Sequence, residues 1–398
     1  MPTTRRIALR SALLLSASAS VVVFCSIARA QDATPVPDVS VTASPGIPAP
    51  VIGQPADAEG FNNVVVARQT TGSKTDAPIT DVPQSVVVIP NKIIDDQNIT
   101  NQADALQNVA GVQIAGFPGY TLNGNYALIR GFSVSEYMLN GMYDQTNAAN
   151  LPFIGQDVER IEVLKGSSAL LYGPTIGSIG GIVNTVTKKP LLNPSYLFGT
   201  TVDNFGMVGL YMDVSHPLTE DKNWLVRVTG DLRTDPTFVQ NGRQQIGDGS
   251  ITIQGQIDPA TTLTFFYQHI GLQANQILGQ PVFTNLGYPF QFARSANPSV
   301  LQAQPYQAQS NAIQIELDHQ INSNWISRTS VGWVGNTNYN SQYGVSWNDD
   351  GTGSWYYYHE HFDRQALNLD TNFNGKFMLF GHANDLVVGA TYLYNPTS

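Results

Sequence analysis

With 398 residues, the chain is long enough for two or more domains and a sizeable core. Charged residues make up only 13% of it, about half the usual soluble share, while Asn, Gln, Ser, Thr and Gly are plentiful. That fits a cytosolic enzyme poorly and a barrel with a polar but weakly ionised interior well. The net charge of −10, with no basic stripe to neutralise phosphates, argues against a nucleic-acid partner.

Residues 1–30 read as a secretory signal: Arg5, Arg6 and Arg10 form the positive start, 12–27 the apolar middle, and Ala28-Arg29-Ala30 the cleavage site before Gln31. A lipid-anchoring site at Cys25 is disfavoured by bulky Phe24. Twin-arginine export is disfavoured because a membrane barrel must cross unfolded. Cys25 is the single cysteine, so removal of this run leaves a mature chain without thiols or disulfides. Beyond residue 30 no run of 18 apolar residues occurs, and no transmembrane helix is expected. Residues 31–60, rich in Pro, Ala and Val, read as an extended flexible arm. The β-prone hexamer Asp38-Val39-Ser40-Val41-Thr42-Ala43 within it could add as a strand to the edge of a partner's sheet, or be ordinary linker.

From Phe61 a folded domain is expected. Strands are predicted at 64–66 and 84–89. A short helix is predicted over 92–97 behind Asn91 as N-cap, and a second over 104–109, ended by Gly111 at C′. Residues 158–165 alternate, with Val158, Ile161 and Val163 apolar and Glu159, Arg160, Glu162 and Lys165 polar, as in a half-buried strand. Gly173, Gly177, Gly180 and Gly181 punctuate the turn region before a second strand over 182–187, closed by Lys188, Lys189 and Pro190. Neither GxGxxG nor GxxxxGK[ST] occurs in this stretch, which excludes a nucleotide loop.

Five pieces stand in order between Asp81 and Pro190: IRGF (129–132), YMLNG (137–141), VERIEVLKG (158–166), ALLYG (169–173) and GGIVNTVTKKP (180–190). Together they resemble the plug domain of TonB-dependent outer-membrane receptors, in the ferric-siderophore subgroup. The resemblance implies an α+β plug domain over 61–190 followed by an antiparallel transmembrane β-barrel over 191–398. It identifies 38–43 as a TonB box. It places the loops 116–120 and 144–153 at the plug apex, where Phe117, Tyr120, Tyr143 and Phe153 either contact ligand or merely pack the loops. It matches Arg130 and Lys165 to two basic positions that pair with barrel glutamates and anchor the plug, the alternative being plain surface cations. Lys165 stands where arginine is usual and lacks its bidentate fork.

Beyond Pro190 the rhythm is that of hairpins, with strands predicted at 196–202, 208–216, 224–232, 250–257, 263–271, 312–321, 325–334, 356–374 and 386–394. Alternation in 263–269 and 313–319 gives one apolar and one polar face. Short turns at 217–223, 258–261, 322–324 and 381–385 alternate with long polar links at 234–249, 272–309 and 336–354, the asymmetry of a transmembrane barrel. The resemblance implies about 22 strands, of which about nine are predicted here. The chain is therefore read as an incomplete barrel, the N-terminal part of a truncated or fragmentary receptor.

No nucleophile–base motif appears, so no enzyme activity is expected. His359 and His361 share a strand face and could bind metal or sit at a solvated strand end beside an aromatic cluster; no metal site or cofactor is assigned. The expected protein is an outer-membrane, TonB-dependent transporter, monomeric and set in outer-membrane lipid. It would take up ferric siderophore with energy passed from the inner membrane by TonB with ExbB and ExbD. Rival readings are a receptor for cobalamin, another metal chelate or a glycan, and a passive porin or adhesion module.

Overall fold

The computed structural model describes residues 64–115, 126–134, 137–144, 154–168, 171–173, 179–236, 240–275, 305–347 and 352–396. The signal, the arm with 38–43, and Phe117, Tyr120 and Phe153 lie outside them.

The N-terminal part of this region begins with a small hairpin, β1 (Arg68–Gln69) on β2 (Ala77–Pro78). β3 (Ser85–Pro90), α1 (Asn91–Asp96), α2 (Gln102–Leu106) and β4 (Val112–Ala115) follow. Then come β5 (Tyr126–Ile129), β6 (Phe132–Ser133), β7 (Tyr137–Leu139), β8 (Met142–Asp144), β9 (Val158–Lys165) and β10 (Gly181–Thr187). β9 lies between β3 and β10 in a five-stranded sheet of order β3-β9-β10-β7-β8, in which only β10 and β7 run parallel. A three-stranded sheet, β4-β5-β6, stands beside it.

Alternate residues of the larger sheet feed two cores. Ile89, Ile161, Val163 and Val183 join Ile94, Ala105, Leu106 and Ile129 in one, while Val86, Leu164, Ile182 and Met138 join Val82 and Tyr172 in the other. The half-buried reading of β9 is thereby corrected. Both faces are covered, and Glu159 and Glu162 are as buried as the valines. Other local expectations also shift. Residues 64–66 form no strand. Asn91 opens α1 rather than capping it, because Pro90 already holds the extended N-cap conformation; the Asn91 amide instead donates to Val158 O at 3.2 Å. α2 begins and ends earlier than predicted, since the Asn101 side chain accepts from Asp104 N and caps it. Gly111, at φ +81°, makes the turn into β4.

The second part is one nine-stranded antiparallel sheet in chain order. Its strands are β11 (Ser195–Val202), β12 (Val208–Pro217), β13 (Trp224–Pro236), β14 (Arg243–Asp258), β15 (Thr261–Ala274), β16 (Tyr306–Asn322), β17 (Trp325–Trp347), β18 (Gly353–Leu379) and β19 (His382–Tyr394). Two of the three expected long links prove to be mostly strand. β13 and β14 stay paired out to Pro236 and Arg243, and β17 and β18 from Trp325 and Gly375 out to Trp347 and Gly353. Ladder hydrogen bonds need no apolar side chains, so these strands continue past the point where alternation fades. The link 275–305 remains long, opposite short turns such as 259–260 and 323–324.

Polarity across this sheet is inverted relative to a soluble one. On β16, Ile313, Ile315 and Leu317 face outward at 38–48% exposure, while Gln314 and Asp318 are buried on the inner face. Leu210, Val331, Leu367, Phe373 and Val388 continue the apolar exterior; Arg227, Thr252, Gln254, Asn368 and Asn372 continue the polar interior. A sheet with hydrocarbon outside and a polar filling inside has this distribution. No helix among the described residues is long and apolar enough to cross a membrane, which leaves crossing by strands untouched.

Near the short turns, two tryptophans lie across glycines of the neighbouring strand. A Cβ on Gly255 would stand 2.5 Å from the ring of its partner Trp224, and one on Gly375 the same distance from Trp325. Indoles at this level suit a membrane–water interface. Gly255→Val is expected to displace the Trp224 ring and lower stability by about 1–3 kcal/mol. Most of the loss should return in a Trp224→Ala background, as read from thermal unfolding in detergent.

Candidate functional site

The chemistry of the described residues concentrates along the seam between the two parts, where the N-terminal sheet lies against the inner face of the nine-stranded wall. Four attachments define it.

The first is a strap, residues 66–76, that covers β9. Glu162 points out of β9 into it and accepts from Thr70 N at 2.9 Å, Thr71 N at 2.8 Å, both threonine hydroxyls, and Arg160 Nε at 2.8 Å. Every lone pair of this fully buried carboxylate is engaged, which is what makes its burial tolerable. Burial works against the Arg160 charge, but Glu159 and Glu162 outweigh it and hold the guanidinium above its ordinary pKa. The Tyr172 hydroxyl, pushed upward by burial and by Glu162 and Asp370, stays neutral and donates to Thr71 O at 2.8 Å. At the strap's tip Lys74, at φ +55°, reaches the wall, donating to Asp370 Oδ2 at 2.5 Å and Thr391 Oγ1 at 3.0 Å.

The second attachment is the root, just after β10. Lys188 Nζ donates to Asp213 Oδ2 on β12 at 3.0 Å, and Arg227 on β13 clasps both oxygens of Asp213 at 2.7 Å. Arg227 also donates to Lys189 O at 2.8 Å, and Leu191 N to Ser215 Oγ at 2.8 Å. All three charged side chains are buried, so loss of one would strand the others.

The third is the turn between β7 and β8. Asn368 of β18 takes Tyr143 N on its Oδ1 at 2.9 Å and gives its amide to Tyr143 O at 3.4 Å, acting as a strand neighbour would. Gln314 of β16 donates to Asn140 O at 3.3 Å. Leu139 and Met142 pack with Phe266, Ala312 and Val334 of the wall in a closed apolar cluster.

The fourth joins Asp157, ahead of β9, to Gln268 of β15, whose amide donates to Asp157 Oδ2 at 2.7 Å. Burial, only partly offset by Lys188 and the bond from Gln268, pushes the Asp157 carboxyl up to about 6.

Between strap, β10 and the wall lies a cavity of about 340 Å³, bordered by Lys74, Arg160, Asn184, Gln314, Arg328 and Asp370 among others. Its lining mixes these groups with apolar Val66, Met138, Met142, Val186 and Phe266, and its cations face anions, for Arg328 holds Asp318 at 2.7 Å as Lys74 holds Asp370.

Of the residues predicted from sequence, Arg130 and Lys165 come together at one end of the smaller domain. Arg130, at φ +54°, is exposed with its Nη1 beside Gly166, and Lys165 Nζ donates to Ala110 O at 3.1 Å. Among the described residues neither forms an ion pair. Tyr143 sits apart from them, half-buried and packed on the core that holds Tyr172. His359 contacts Ser341 Oγ at 2.7 Å, while His361 contacts Asp363 at 3.0 Å and stacks on Tyr339. No group of three metal-ligating side chains converges among the described residues. The sequence alone assigns no role at the seam to Asp157, Glu162, Lys188 or Asn368; a carboxylate written into an alternating strand is the one signal it carries.

Two outcomes follow from this geometry. Glu162→Ala orphans the strap's donors and leaves Arg160 with one carboxylate fewer, costing about 3–5 kcal/mol. Hydrogen exchange should show lost protection at the Thr70 and Thr71 amides. Asp157 binds its proton more tightly folded than unfolded, so stability falls as pH rises from the ordinary aspartate value of 3.8 to about 6 and then levels off. Asp157→Asn should flatten that slope and raise stability at neutral pH, as measured by urea unfolding in detergent across the range.

Residues 78–182 match the TonB-dependent Receptor Plug Domain. The chain is 25% identical over 317 residues to the ferric-pyoverdine BN7/BN8 receptor of Pseudomonas putida, covering 78% of this chain and 39% of that protein. It is 37% identical over 121 residues to the probable TonB-dependent siderophore receptor PiuA of Acinetobacter baumannii, covering 30% of this chain and 16% of that one. The solved pyoverdine outer membrane receptor FpvA of Pseudomonas aeruginosa, bound to pyoverdine, shares the fold with a TM-score of 0.76 at 20% identity, over 87% of this chain and 51% of that one. The chain spans about two fifths of the length of the curated relatives that it matches over most of its own length. A matched plug docked against an antiparallel wall with an apolar outer face, together with these relatives, makes this chain similar to TonB-dependent siderophore receptors.

Proposed function

We propose that this chain is the plug-bearing part of an outer-membrane receptor that imports a ferric siderophore with energy supplied through TonB. The observation that carries the reading is a plug seated by neutral hydrogen bonds and a few buried ion pairs against the polar face of a wall whose other face is apolar. Such a stopper excludes free diffusion, and an energy source is needed to shift it. The relatives' names, ferric-pyoverdine receptor and TonB-dependent siderophore receptor among them, support the same cargo class and the same dependence.

In this reading residues 1–30 direct export and are cleaved, and the mature protein is a monomer in outer-membrane lipid without a cofactor of its own. Phe117, Tyr120 and Phe153 meet the chelate from outside, whereas Tyr143 supports its turn. TonB, driven by ExbB and ExbD, engages Asp38–Ala43 and pulls. The pull reaches the strap first, because the arm leads directly into it, and then the Glu162 and Lys74 attachments. The root at Lys188, Asp213 and Arg227 stays fixed. Arg130 and Lys165 anchor the plug by pairing with carboxylates of the barrel. The chelate arrives with its metal already bound, so aromatic and hydrogen-bonding groups rather than a protein coordination sphere recognise it. No reaction is catalysed.

Radioiron uptake in cells that express the gene encoding this chain, and lack other siderophore receptors, tests the reading. Ferric pyoverdine and ferrichrome serve as probes. Deleting residues 38–43 should abolish energised uptake and leave surface binding intact. Uptake that persists after the deletion, or binding of neither probe, overturns the proposal.

A further inference from the structure

The four attachments are chemically unlike one another, and the difference has a direction. Against β12 and β13 the plug is fixed by the buried triad of Lys188, Asp213 and Arg227. Against β14–β18 it is held by hydrogen bonds from the amides of Gln268, Gln314 and Asn368 and by the partly exposed Lys74–Asp370 ion pair, and the 340 Å³ cavity lies on this side. That volume is near the lower end of the roughly 300–1,000 Å³ found for small-molecule sites. The wall beside it presents Thr252, Thr264, Gln314, Ser330 and Asn372, amides and hydroxyls suited to a hydrated polar solute.

One feature interrupts this polar lining. Leu139 and Met142, at the two ends of the β7–β8 turn, close against Phe266, Ala312 and Val334, and all five side chains are at most 5% exposed. A Cβ on Gly332 would overlap Met142 Sδ, so the thioether fills a notch that exists only because the wall residue is glycine. A dry apolar contact in a polar seam stops water and ions, because a hydrated solute would have to shed its shell to enter it. The hydrogen bonds that hold the turn on either side, from Gln314 and Asn368, are neutral and can be handed to water at little net cost.

We infer that the chelate's route runs along the β14–β18 wall and not the β12–β13 wall, and that Leu139 and Met142 are its dry gate, opening into the cavity below. The route rests on the transport reading above; the gate does not, because a seal is needed by any plugged barrel. Met142 gives the turn a flexible apolar closure that can leave its notch and return.

The test uses the full gene in intact cells with a periplasmic β-lactamase, and the probe is nitrocefin, a hydrophilic chromogenic β-lactam whose entry needs neither siderophore nor TonB. Met142→Ser and, from the wall side, Val334→Ser should each raise nitrocefin entry severalfold, with Met142→Leu remaining tight. The wall-side variant guards against a leak caused by plug misfolding. Met142 Cγ stands 3.2 Å from where a Cβ on residue 332 would be, so Met142→Cys with Gly332→Cys falls within disulfide reach. Oxidation of that pair should stop uptake of radioiron-loaded pyoverdine while surface binding continues, and reduction should restore it. Unchanged nitrocefin entry in both serine variants overturns the gate. Undiminished pyoverdine uptake with the disulfide closed overturns the route. A leak in the serine variants of a protein that takes up no siderophore upholds the gate and overturns the transport reading instead.

Discussion

A sheet with hydrocarbon on one side must satisfy its backbone within its own ladder and must put its polar side chains on the other side. The nine strands obey this, and everything else about the molecule answers it. An inner face rich in Asn, Gln, Thr and Arg, turned away from lipid, needs either water or a protein surface with complementary donors and acceptors. The plug is that surface. Its own sheet is buried on both faces, so its edge strand β8 and the turns and side chains at its margin make the match.

Three carboxylates at the seam follow the same logic. Asp213, Glu162 and Asp370 each meet a cation or several N–H groups, and none relies on a single partner. The ion pairs differ in burial in a way that orders the molecule. The root is sealed from solvent, while the Lys74–Asp370 contact is partly open to it, with side-chain exposures of 13% and 25%. Water competes most readily at the open contact, and salt screens it most. The seam is thus strongest where the chain passes from plug to wall and weakest where the strap meets the far strands.

Much of this was legible in the residues. Ordered motifs between 81 and 190 named the plug, and alternation in 263–269 and 313–319 marked strands with one apolar face; all nine wall strands were found. What escaped notice had physical causes. Where β13, β14, β17 and β18 run beyond the apolar band, both faces are polar, so periodicity vanishes although the ladder continues. β9 looked half-buried because Glu162 breaks its apolar pattern, and only the strap 66–76, distant in sequence, explains how a carboxylate can be interior. Lys188 read as a strand-closing cation because its partner Asp213 lies in another domain. Asn368 carried no signal at all: a single amide inside a polar strand acquires meaning only when a backbone turn is set against it.

By taking both the N–H and the C=O of Tyr143, Asn368 lends the wall an extra rung, made of side chain where a rung is normally made of main chain. A main-chain rung is locked to its neighbours and comes apart only when the strands separate together. A side-chain rung swings free by rotating about its own bonds, so the plug can let go at this point while the ladder beneath Asn368 stays whole and the membrane keeps its barrier.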